Sequence, residues 1–305
     1  MTGQTILLEV DAGPVIGMGH LGRCKVLAQA LAREGFKPVF RIHGADTKEL
    51  AAPFSAFVEG MEARAVIVDR YTATAEEIAD LRRRYGLAVV FDDHATRAVA
   101  ADLLLNGNYY ATALDYARFS IGRLLLGPEY ALVTPDFVKA AAIPMKAGAM
   151  LLTFGLSQIS GLLPAIGSGL ADAFPESEIR MIVPEAYRLR NSAHTRAEII
   201  VPAPLAGLVG EAELIVCGLG VSWLELVATG RRVVGVRLVD NQDMMFDAVS
   251  AAGFPVAAKP ETEAIIAAIV AAKTIPTARW EPLRQQLDGL GPARVVRAIS
   301  SALAE

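Results

Sequence analysis

The stretch VDAGPVIGMGHLGRCKVLAQAL, residues 10–31, decides the fold. It follows ILLEV at 6–10, an apolar run whose length and branching predict a β-strand. From His20 to Arg33 the apolar residues Leu21, Val26, Leu27 and Leu31 recur at helical spacing. Strand, glycine loop, helix is the start of a βα unit. The loop contains Gly17, Gly19 and Gly22 in a G-x-G-x-x-G pattern, the fingerprint of a dinucleotide site. The glycines come too far beyond the strand for that use, however. The next strand also ends in Arg41 and His43, where a ribose-binding acid belongs. The better reading is a glycine turn that places His20 in the first turn of a helix. A histidine in a strand-end loop suits a general base.

The same rhythm runs outward. Strands are predicted at 38–42, 65–69, 87–93, 101–106 and 123–127, with a helix at 73–85. The segment 136–149 has little pattern and reads as a boundary. Strands then resume at 150–154, 179–183, 198–202, 213–217 and 232–236. Helices are expected at 159–173, 222–229, 242–252 and 292–304. Strands alternating with helices argue for parallel sheets. The fold class is therefore α/β: two Rossmann-like domains, 1–143 and 144–305, facing across a cleft, with the last helix free to pack back on the first domain. Ligands of open α/β sheets sit beyond the carboxyl ends of the strands. The loops to watch begin at Asp11, Asp69, Asp92, Gly155, Gly218 and Asp240.

Composition narrows the function. The 305 residues are 53% hydrophobic and 20% charged, with a net charge of −4. That excludes a disordered chain and disfavours nucleic acid, which needs a concentrated basic surface. The mean hydropathy of +0.39 raises the membrane question. Yet AIIAAIVAA at 264–272 is too short to span a bilayer and reads as a buried helix. No transmembrane segment or signal peptide is expected. Two widely separated cysteines, Cys24 and Cys217, fit a cytoplasmic protein without disulfides, and both read as small buried residues. Met244 and Met245 read as core filler. Asp92, Asp93 and His94 imitate metal ligands, but neighbours on a strand point to opposite faces, so no metal is expected.

CGLGVSWLELVATG, 217–230, is strand, glycine turn and helix again. Unpaired N–H groups at such a helix start suit a diphosphate. Glu225 follows Ser222 by three residues. It can be the partner in a capping box or a carboxylate gripping ribose hydroxyls, and the sequence leaves both open.

The opening stretch resembles the UDP-2,4-diacetamido-2,4,6-trideoxy-altropyranose hydrolases of pseudaminic acid biosynthesis, a GT-B-like family related to MurG-type glycosyltransferases. That family's motif is R-x-D at a strand end, then I-G-x-G-H-x-x-R before a helix. Further blocks match in order: IVDRYT at 67–72, FDDHATRAVAADLLLNGN at 91–108, LLLGPEYALVTPDF at 124–137, LLTFGLSQIS at 151–160 and VDNQ at 239–242. The resemblance implies His20 as catalytic base, with Tyr71 and Asn241 beside the sugar. It implies Asp11, Gly17, Gly19 and Arg23 as substrate contacts. It places the nucleotide against Gly155, Ser157, Gly220, Ser222, Glu225 and Gln242. Three positions depart from the pattern: Glu9 replaces an arginine, Arg70 a histidine and Leu156 a glycine.

The expected activity is hydrolysis of a UDP-sugar by water that His20 deprotonates, inverting the anomeric carbon. No cofactor is expected, and the protein is expected to be a monomer. The alternatives are a GT-B glycosyltransferase, in which His20 activates an acceptor hydroxyl, and a non-catalytic nucleotide-sugar-binding homologue.

Overall fold

The computed structural model describes residues 3–13, 18–45, 47–154, 161–183, 197–200 and 205–305. The chain forms two compact units: Met1–Leu132 with Leu290–Glu305, and Val133–Gly289.

The first unit holds strands β1 (Thr5–Asp11), β2 (Lys37–His43), β3 (Ser55–Ala56), β4 (Ala65–Asp69), β5 (Ala88–Phe91), β6 (Ala100–Asn106) and β7 (Ser120–Leu126). They make one sheet in the order β3-β2-β1-β4-β5-β6-β7, with every neighbouring pair parallel. In β1 the side chains of Ile6, Leu7, Leu8 and Val10 are all fully buried. Such a run cannot alternate, because a parallel sheet is covered on both faces.

Helix α1 (Gly19–Arg33) covers one face. It buries His20, Leu21, Cys24, Leu27, Ala28 and Leu31, a stripe at three- and four-residue spacing. Helix α3 (Ala75–Tyr85) covers the other, following the short helix α2 (Thr47–Ala51). Thr74 and Glu77 cap α3 reciprocally, and Gly86 ends it in a left-handed turn at φ 77°. At the strand ends two glycines are pressed together. A Cβ on Gly13, at φ 150°, would stand 2.8 Å from the Gly44 carbonyl oxygen, so only glycine fits there.

The second unit holds β8 (Ala149–Thr153), β9 (Glu178–Ile182), β10 (Glu198–Ile200), β11 (Leu214–Gly218), β12 (Arg232–Val236) and β13 (Val256–Ala257). The order is β10-β9-β8-β11-β12-β13, again all parallel. Its helices are α4 (Pro135–Ala140), α5 (Leu163–Ala173), α6 (Leu205–Glu211), α7 (Val221–Ala228), α8 (Asp243–Ala251), α9 (Thr262–Thr274) and α10 (Glu281–Gln286). The apolar run at 264–272 lies within α9, which buries Ile265, Ala268, Ile269 and Ala272 against the sheet core. Among the described residues, no helix is long and apolar enough to cross a membrane.

Several boundaries differ from the sequence expectation. The patternless segment after 136 begins with α4, which packs on α6 and α7 and so belongs to the second unit. Arg231 binds the two together by donating to the carbonyls of Ala140, Ile143 and Gly210. The last helix, α11 (Gly291–Ala302), packs on α1 and β6 of the first unit. β5 stops at Phe91 because the Asp92 carboxylate turns back to accept from the backbone N–H groups of His94 and Ala95.

Candidate active site

Each sheet has a point where the strand order reverses, between β1 and β4 in the first and between β8 and β11 in the second. Doubly wound folds bind ligands outside the strand ends at such points. In the first unit, α1, the next element after β1, carries His20, and β4 ends in Asp69.

Asp69 is fully buried. Its Oδ1 accepts from His20 Nδ1 and from Arg23 Nη2, each at 2.6 Å, and its Oδ2 accepts from Arg23 Nε at 2.6 Å. The thiol of Cys24 donates to Oδ2 at 3.4 Å. Burial opposes ionisation of this carboxyl. The charge of Arg23 and the bonds from Arg23 and His20 outweigh it and hold Asp69 well below the usual carboxylate range. Burial and the neighbouring carboxylate push the Cys24 thiol up, so it stays protonated. An ionised carboxylate only accepts, so His20 Nδ1 must carry a proton, and in the neutral imidazole the lone pair then lies on Nε2. That is the tautomer a general base needs.

Arg23 was expected at the substrate. It is instead buried, with one side of its fork on Asp69 and Nη1 on Asp93 Oδ2 at 2.9 Å. Burial alone would lower the pKa of Arg23, but the two carboxylates reverse this and raise it well above the ordinary value. Its face also stacks on Phe91, 4.6 Å from the ring centre. Tyr71 donates its phenol to Asp93 at 2.7 Å, and its ring stands perpendicular to the His20 imidazole with centres 4.4 Å apart. Burial and the nearby Asp93 push the phenol pKa far up, so Tyr71 keeps its proton.

Asp11, a second expected substrate contact, is also occupied. Its carboxylate accepts from the Thr72 backbone N–H at 3.1 Å, from the Thr72 hydroxyl at 3.0 Å and from Arg70 Nε at 3.4 Å. Glu9 and Arg70, two of the departures from the hydrolase pattern, are thus both paired. Buried Glu9 accepts from Arg41 Nη1 and His43 Nε2, each at 2.6 Å. Gly19 opens α1, and a Cβ there would meet nothing within 4 Å, so crowding does not require glycine at that position.

In the second unit, β11 ends at Gly218 and Gly220 is the extended N-cap of α7. Helix α7 begins at Val221, so exposed Ser222 lies inside it and caps nothing. The capping box of Ser222 with Glu225 therefore does not form. Glu225 is half-buried one turn further on, and burial raises its pKa to about 7. Gln242 accepts from the Leu238 backbone N–H at 2.8 Å, and its Nε2 lies 3.8 Å from where a Cβ on Gly218 or Gly220 would stand. Asn241 is exposed in the 3-10 turn Asp240–Gln242. Gly17, Gly155 and Ser157 lie outside the described residues. Among those that are described, no group of three or more His, Cys, Asp or Glu could hold a metal ion.

No protein-family model and no curated protein matches the sequence. Solved structures do match. The calicheamicin glycosyltransferase CalG4 matches with a TM-score of 0.67 and 14% identity, over 100% of this chain and 99% of that one. LpCGTa, solved with UDP, gives 0.66 and 12%, over 100% of both chains. MurG of Acinetobacter baumannii gives 0.62 and 13%, over 98% and 99%. The architecture is that of the GT-B glycosyltransferases. At these identities the likeness fixes the fold alone; the chemistry rests on the residues above.

Sequence reasoning proposed His20 and Tyr71, whose ring centres stand 4.4 Å apart, and gave no site role to Asp69, Asp93 or Asn108. The signal for Asp69 was present: an acid at the tip of the apolar strand AVIVD, beside the strand that feeds the glycine loop.

Proposed function

We propose that the protein transfers a glycosyl group from a nucleoside-diphosphate sugar to an acceptor hydroxyl, with His20 as general base. The observation that carries this reading is the buried Asp69 carboxylate 2.6 Å from His20 Nδ1 at the β1/β4 reversal point. Nε2 takes the proton of the acceptor hydroxyl as its oxygen attacks the anomeric carbon. The carbon–oxygen bond to the diphosphate breaks, and the nucleoside diphosphate leaves. Asp69 holds the imidazole and stabilises the imidazolium that forms, without taking the proton itself. Attack opposite the leaving group inverts the anomeric centre.

The second unit would take the nucleotide. The first two N–H groups of α7, of Val221 and Ser222, precede its intrahelical bonds and would suit the diphosphate charge. Glu225, freed from a capping role, would accept from the ribose hydroxyls. LpCGTa, with UDP bound, and CalG4, named as a glycosyltransferase, share this architecture and support the transferase reading.

Water in place of the acceptor is the second reading. It is favoured by the resemblance of residues 10–31 to the UDP-sugar hydrolases. The two are separated by incubating the protein with a panel of UDP- and TDP-sugars, with and without alcohol acceptors. Nucleotide release only when an acceptor is present, together with a glycosylated product, supports transfer. Free sugar at the same rate without acceptor means hydrolysis. Tight nucleotide binding without either product would defeat both.

A further inference from the structure

The site holds a second buried carboxylate that the reaction above does not use. Asp93, 5% exposed, follows β5 and gathers three donors from three places in the first unit. Tyr71, beyond the end of β4, donates its phenol at 2.7 Å, and Asn108, beyond β6, donates Nδ2 at 2.8 Å. Arg23, on α1, donates Nη1 at 2.9 Å. Asn108 is itself fixed, its Nδ2 also donating to Asn106 Oδ1 at 2.9 Å. Arg23 is the link between the two acids, since the rest of its guanidinium grips Asp69.

Resting on the transfer reading, we propose that Asp93 is a positioning residue for the base: it fixes the Tyr71 ring against the His20 imidazole, and Arg23 locks that wall to the carboxylate that holds His20. The imidazole is then constrained from two sides. Asp69 fixes Nδ1, and the Tyr71 ring, perpendicular at 87° with centres 4.4 Å apart, blocks rotation about the remaining bond. His94 backs Tyr71 from elsewhere, with ring centres 5.3 Å apart. A phenol that donates to Asp93 is not the acid of the reaction, so the part Tyr71 plays is geometric.

The proposal makes two measurements diagnostic. Asp93→Asn and Tyr71→Phe should each lower kcat roughly ten- to hundredfold, the size expected of a misplaced base, with KM for the nucleotide sugar unchanged. Because both act on the bond between Tyr71 and Asp93, the double variant should be no slower than the slower single variant. Losses that multiply, or a rise in KM with kcat intact, would overturn the proposal. The second measurement needs no substrate. In nitrogen-15 NMR of the free protein, the His20 ring resonances should move in both variants, while a thermal melt of Tyr71→Phe shows it folded. Unmoved His20 resonances in both would also overturn it. If the wild type turns over no nucleotide sugar, the transfer reading fails, and the NMR arm still decides whether Asp93 positions His20.

Discussion

The carboxyl edges of the two sheets are built from opposite materials. In the first unit that edge buries Glu9, Asp11, Asp69, Asp92 and Asp93, each 5% exposed or less. In the second unit β8, β11 and β12 end in Thr153, Gly218 and Val236. Among the described residues of that unit, the buried polar or charged ones are Thr229 and Arg231, neither of which ends a strand. Buried carboxylates are costly unless fixed cations and donors surround them. The first edge supplies these to Asp69, Asp93 and Glu9 through Arg23, His20, Arg41 and His43, and to Asp11 through Thr72 and Arg70; at Asp69 the outcome is a fixed imidazole. The second edge offers backbone and glycine, which bury no charge that needs a partner. The two sheet edges therefore differ in chemistry: paired buried charge in the first unit, uncharged backbone and glycine in the second.

The comparison breaks first at His20. His20→Leu should reduce turnover by roughly 10²–10⁴-fold, the usual share of a general base, and leave UDP affinity unchanged. Steady-state rates beside a UDP titration decide it; a UDP affinity that falls with the rate would mean the two edges are not separate.

The next largest effect is on stability. Arg23→Met strips both Asp69 and Asp93 of their shared cation and should cost about 3–5 kcal/mol of folding free energy. Urea unfolding reads it, and a loss below about 1 kcal/mol would show that these acids do not depend on Arg23.

On the second edge, Glu225→Ala should weaken UDP binding about ten- to a hundredfold, as expected when a charged acceptor of two hydroxyls is removed. Isothermal titration with UDP checks this. Equal affinity in variant and wild type would withdraw the ribose role.

The smallest effect sharpens the contrast through pH. The carboxyl of Glu225 is raised from an ordinary 4.5 to about 7 by burial, so the folded state holds its proton more tightly than the unfolded chain does. Its contribution to stability is complete below about pH 4.5 and is lost as pH rises through 7. Glu225→Gln should therefore be more stable than wild type at pH 8, by about 1 kcal/mol for a group that stays partly hydrated, and equal to it near pH 4.5. Thermal melts across that range test the sign. A gain at pH 4.5 instead would mean that the carboxylate is stabilised, not strained.

Much of this was legible in the sequence for physical reasons. Strands such as ILLEV and AVIVD are buried on both faces, so continuous branched residues mark them without help from context. His20 stood out because it is a histidine at a predicted helix start, with three glycines close by in sequence. The short helices α4, α6 and α10 were not. They lack a full amphipathic period and are held by tertiary partners, as α4 is by Arg231. The capping-box reading of Glu225 failed because a single residue of offset in where α7 begins takes Ser222 out of the cap.

Local propensity was enough to set the parallel α/β class and to single out His20 as a candidate base, since both readings depend on residues near one another in the chain. The partners of the charged residues emerged only from the folded chain. Arg23 and Asp11 read as substrate contacts while their partners were unknown, because Asp69, Asp93 and Arg70 lie 46 to 70 positions away from them. Strand order brought them together. A charge far from its partner in sequence is ambiguous until the sheet sets their distance, for electrostatic effects fall with separation in space and take no account of separation along the chain.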